Sequence, residues 1–95
     1  MKQLRSEAAD YRKEAAELSR TAVSRQRANF ALNAGNQQML RGDIGGAISR
    51  YQESIAADPT FAEAHTQLAI AYERQGRADE ARAERAKASE AGKTQ

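Results

Sequence analysis

The sequence predicts an all-α fold, a long N-terminal helix running into two antiparallel helical hairpins. Three observations carry this prediction. Strong helix formers dominate the chain, and aromatic residues make up only 5% of it, too few for a thick sheet core. Glycine, proline and capping residues are concentrated at a few places and divide the chain into helix-length pieces. Those marks also recur with one period: Gly42 and Gly76 are 34 residues apart, as are Ala47 and Ala81.

From Lys2 to Leu40 there is no proline, and the only glycine is Gly35. One helix over residues 1–41 is expected, with no turn between Lys2 and Asn33. Within it Leu4, Ala8, Tyr11, Ala15, Leu18 and Ala22 step by four and three, the spacing of a heptad seam. The seam fails at Arg25 and Asn29. Gly42 breaks this helix, and Asp43 supplies an N-cap carboxylate for the next. Gly45 and Gly46 fall in its first turn. Ala47, Ile48, Tyr51, Ser54 and Ile55 then follow at helical spacing. Asp58 precedes Pro59 and so avoids helical backbone, which ends the second helix there.

Thr60 and Glu63 have the spacing of a capping box for the third helix. Ala64, Leu68, Ala71 and Tyr72 make its apolar stripe, and Gly76 ends it. Ala78, Ala81, Arg85, Ala88 and Ser89 are the expected inward positions of a last helix, closed by Gly92. The final Lys-Thr-Gln is expected to fray.

Aligning the chain on itself at an offset of 34 pairs Gly35 with Ala69 and Ala34 with Leu68. A helix–turn–helix unit of that length resembles the tetratricopeptide repeat, over about residues 28–92. In the first copy, Gly35 corresponds to the small residue where the two helices touch. Gly42 is the turn glycine, Ala47 and Tyr51 lie on the second helix, and Pro59 closes the unit. In the second copy the matching residues are Leu68, Ala69, Tyr72, Gly76 and Ala81. Gln38 and Ala31 stand where larger residues are usual, with Phe30 and Met39 beside them as candidates to fill the gaps. Arg85 and Ser89 depart in the second copy and give the last helix the polar character of a terminal cap. The expected organisation is an N-terminal extension at 1–27, repeats at 28–61 and 62–92, and a tail at 93–95, forming a fragment of an α-solenoid.

Composition narrows the function classes. There is no cysteine, hence neither a disulfide nor a thiolate metal site. No stretch of about 20 apolar residues exists, and no charged-then-apolar leader opens the chain; the expectation is a cytoplasmic location without membrane insertion. Residues 1–27 carry seven basic against four acidic side chains, dispersed as on a solvated helix face. A nucleic-acid surface would be denser in one sign, and binding through it would weaken steeply with salt. The lone histidine, His65, is expected to pack or hydrogen-bond, since metal sites need three or four converging ligands. Glu14 and Glu17 read as solvation, and no phosphate-binding loop is present. No catalytic residue, metal or cofactor is assigned.

Binding remains. The resemblance implies a concave groove lined by the first helix of each repeat. Its residues would be Asn29, Leu32, Asn36 and Met39, then Glu63, Thr66, Ile70, Glu73 and Arg74. A peptide or helix of a partner protein would rest on Leu32, Met39 and Ile70, with Asn36 bonding its backbone. Leu40 is expected to pack on the neighbouring helix. A C-terminal carboxylate ligand is disfavoured, because Leu32 and Glu63 stand where that type of groove carries basic residues. The second reading is a structural element in which Leu4, Ala8, Tyr11, Ala15, Leu18 and Ala22 pair two chains into a homodimer.

Overall fold

The computed structural model describes residues 2–94, and side chains over residues 21–92. It is four helices in sequence: α1, Lys2–Leu40; α2, Ile44–Ala57; α3, Ala62–Arg74; α4, Ala78–Thr94. Each packs on the one before, so the described residues form two antiparallel hairpins stacked side by side. At about 1.5 Å per residue, α1 alone is about 58 Å long, close to the 62 Å long axis of the molecule.

The two hairpin turns are copies of one another. Gly42 (φ 82°) and Gly76 (φ 76°) sit in the left-handed region, which glycine enters without a Cβ penalty. In the first turn Gly42 N–H donates to the Met39 carbonyl at 3.0 Å and Asp43 N–H to that of Gln38 at 2.9 Å. In the second, Gly76 N–H donates to Glu73 at 3.0 Å and Arg77 N–H to Tyr72 at 2.9 Å. This paired pattern satisfies carbonyls that a helix end otherwise leaves open. Asp43 then caps α2 by accepting from Gly46 N–H at 3.0 Å. A Cβ on Gly46 would lie 2.3 Å from the Asp43 carboxylate, so any other residue there would require the carboxylate to shift.

The connection between the hairpins differs from the expected capping box. Thr60 and Glu63 form no such box: α3 starts at Ala62, with Phe61 at the cap position and no side-chain cap bond. Asp58 has claimed Thr60 instead, accepting both its N–H at 3.1 Å and its hydroxyl at 2.7 Å. The same carboxylate accepts from Arg25 of α1, whose guanidinium lies 5.1 Å from the Phe61 ring centre. Arg25 thereby ties the long helix to the connection between the hairpins.

Burial pushes the Asp58 carboxyl up, but the bonds from Thr60 and Arg25 together outweigh it and hold the group below its ordinary value. A depressed folded-state value stabilises the fold above the ordinary carboxylate range of about 4 and is lost as pH falls through and below it. Urea unfolding at a series of pH values should show stability declining over that acid window. Asp58→Asn should remove part of the decline; an unchanged profile would show that Asp58 contributes nothing to it.

The core lies along the inner faces of all four helices. Tyr51, fully buried, sits against Gly35, where a Cβ would fall 2.5 Å from its ring. Close approach of α1 and α2 is helped further along by Ser54, also fully buried, whose hydroxyl donates to the Ala28 carbonyl at 2.7 Å. Leu68 and Ala69 occupy the matching places in the second hairpin. Phe30 does not fill the gap beside Ala31: it is 79% exposed, and Ala31 is itself buried.

α4 departs from its expected register. Ala81 and Ala91 face inward, but Ala78, Arg85 and Ser89 are exposed, and Glu84 is buried in their stead. Arg85 reaches instead across the hairpin to Glu73, where water solvates both. Gly92 does not close the helix: it lacks the left-handed backbone of Gly42 and Gly76, and α4 continues to Thr94, into the tail expected to fray.

Candidate peptide groove

The first helices of the two repeats, α1 and α3, leave a cleft of about 370 Å³ between them. Its lining is Asn36, Met39 and Leu40 from α1, Tyr51 from α2, and Gln67, Ile70 and Arg74 from α3. The spacing explains the grouping: residues three and four apart on a helix share a face, which aligns Asn36, Met39 and Leu40 opposite Gln67, Ile70 and Arg74.

The apolar part of the cleft is Met39, partly buried against the core, Ile70, half-buried, and Leu40, 83% exposed. Leu40 thus packs on no neighbouring helix, contrary to expectation, because α1 ends at that residue and Gly42 turns the chain away. The polar part consists mainly of donors. The Tyr51 hydroxyl donates to Asn36 Oδ1 at 2.7 Å, which directs the Asn36 amide nitrogen elsewhere. Burial pushes the Tyr51 hydroxyl up, with a smaller opposing pull from Arg74, so it remains a proton donor at neutral pH. Arg74 forms no ion pair among the described residues.

The structure thus groups Asn36, Met39, Ile70 and Arg74 of the expected set. Leu32 is not with them: it is 3% exposed, inside the core. Asn29 and Glu63 are exposed outside the cleft lining. Thr66 donates its hydroxyl to the Ala62 carbonyl at 3.1 Å, and Glu73 is turned toward Arg85 of α4. Sequence reasoning missed Gln67 and Tyr51 as lining residues. Gln67 was legible, three residues before Ile70; Tyr51, fully buried, reaches the back wall of the cleft only because Gly35 lets the ring through. Of the seam, Ala22 is exposed, while the side chains of Leu4, Ala8, Tyr11, Ala15 and Leu18 lie outside the described residues.

His65 is buried between α3 and α4, the two helices of the second hairpin. Its Nε2 is 2.9 Å from the Pro59 carbonyl, which can only accept, so Nε2 carries a proton. Nδ1 lies 2.8 Å from Glu84 Oε2, and that bond holds one further proton between ring and carboxyl. Among the described residues no group of three or more His, Cys, Asp or Glu is placed to hold a metal ion. No described helix is long and apolar enough to cross a membrane.

Residues 35–76 match the family described as TPR repeat. Among solved structures, the crystal structure of MamA aligns with a TM-score of 0.68 and 30% identity, over 70% of this chain and 39% of that one. The chain therefore spans well under half the length of that relative. No curated protein matches it significantly. The matched span includes the first turn glycine, the proline between hairpins and the second turn glycine, the same features that build the fold, and residues 35–76 are of the tetratricopeptide-repeat type.

Proposed function

We propose that this chain is a protein-interaction module that holds a peptide segment in the cleft between α1 and α3. The observation that supports this is the composition of that cleft: an apolar floor of Met39, Leu40 and Ile70, rimmed by donors from Asn36, Gln67 and Arg74. Small apolar clefts with a few converging polar groups are the usual form of a binding site. The floor takes one apolar side chain of the partner. The Asn36 amide donates to its backbone carbonyls, and Arg74 selects an acidic side chain nearby. Leu32 and Glu63, at the positions noted above, argue for an internal segment rather than a free C-terminus.

Selection from a random peptide-display library tests this. Enriched peptides should pair an apolar residue with an acidic one. Met39→Glu and Arg74→Glu should each weaken binding about tenfold or more, equivalent to about 1.4 kcal/mol. Absence of enrichment, or binding indifferent to both changes, would overturn the assignment.

A further inference from the structure

The two ends of the helical stack are chemically unlike. At the far end α4 presents charged and small residues, and neither α3 nor α4 exposes a large hydrophobic side chain among the described residues. At the near end the first hairpin exposes Phe30 (79%) and Val23 (45%). They line an open cleft of about 500 Å³ that also includes Ala57, with Arg27 and Glu53 at its edges. This face points away from the second hairpin. Arg25 and Gln52 mark the side where α3 packs, through Phe61 at its cap and Tyr72 within it. At 100° per residue, Phe30 lies about 140° round α1 from Arg25, and Ala57 about 140° round α2 from Gln52.

We infer that this near-end face is an interface with a second copy of the same chain, related by a two-fold axis. A head-to-tail stack would press Phe30 and Val23 onto the charged surface of α4, leaving charges buried without partners. Near end against near end covers apolar with apolar. A two-fold contact also pairs each residue with its counterpart reciprocally. Arg27 of each copy then meets Glu53 of the other, and the rim of opposite charges is complementary to itself. Arg27 has no ion pair among the described residues; Glu53 is held only by its helix neighbour Arg50, both well exposed. The contact is closed, so it yields a dimer and no filament. It is distinct from the peptide groove, and from the heptad seam, since Ala22 lies about 80° round α1 from Phe30.

Light scattering on the full chain through a dilution series tests the inference. The expected mass is that of two chains, and of one chain for Phe30→Asp. Because Phe30 is so exposed, this variant should keep its helical circular dichroism. Should it lose it, the charges decide: Arg27→Glu and Glu53→Arg should each weaken the dimer about tenfold, and the two together should restore it. Leu4→Asp with Leu18→Asp should leave the dimer intact. A monomeric parent chain, larger open assemblies, a dimer that survives Phe30→Asp, charge variants without effect, or dissociation by the seam variant would each overturn it.

Discussion

Replacing Tyr51 by alanine should cost about 3–5 kcal/mol, the range for removing a large buried aromatic. Small domains have folding free energies near the low end of about 5–15 kcal/mol, so the variant should be largely unfolded at room temperature. The site gives little scope for relaxation. The ring rests on Gly35, where α1 offers bare backbone, and helix backbone cannot collapse into the space as a side chain would. Tyr51→Phe separates two contributions. It keeps the ring and loses only the bond to Asn36, for an expected cost of about 0.5–1.5 kcal/mol. Thermal and urea unfolding followed by circular dichroism should rank parent, Phe and Ala in that order. Equal losses for Phe and Ala would mean that the hydroxyl, and not ring packing, holds α1 to α2.

The second large effect is expected at Glu84. Glu84→Leu leaves His65 Nδ1 buried without a partner, and breaking a buried pair of this type costs about 3–5 kcal/mol. Glu84→Gln should cost only about 1 kcal/mol. Its amide can donate to Nδ1 of a neutral ring while Nε2 continues to donate to Pro59, so both ring nitrogens stay satisfied. Lys87, now 3.2 Å from the other Glu84 oxygen, is 60% exposed and can turn to water. Equal stability of the Leu and Gln variants would show that this pair does not hold α3 to α4.

The helix boundaries were legible because each rests on a local rule. Gly42 and Gly76 needed only the absence of a Cβ, Asp43 only the reach of a carboxylate to the N–H three residues on, and Asp58 only the ring of Pro59. Errors arose where two local rules competed or where the deciding partner was distant in sequence. Thr60 satisfied the capping pattern, yet Asp58, two residues before it, satisfied another and took its hydroxyl. Gly92 looked like Gly76, but whether a glycine turns left-handed depends on what the following residues bond to. Glu84 was not among the inward positions expected of α4, because nothing beside it in sequence announces His65, 19 residues earlier.

The groove was partly legible for the same reason. Met39, Ile70, Asn36 and Arg74 follow from helical spacing once a register is assumed. Leu32 sits at an adjacent angle on α1, and a rotation of a fraction of a turn decides between core and groove. That rotation is set by how closely α1 approaches α2, hence by Gly35, Ala28 and Ser54, whose small size carries no direct sign of a binding surface.

The paired glycine turns bear on how a chain of this kind changes length. Each turn is closed by backbone bonds among its own few residues, and so takes one shape whichever hairpin it serves. A segment cut from Gly42 to Gly76 begins and ends at equivalent joints. Duplicating or excising that 34-residue segment leaves every joint whole, whereas a gain or loss of another length would break one. Tolerated length variation in such a chain is therefore quantised, advancing by whole hairpins inserted ahead of the charged α4.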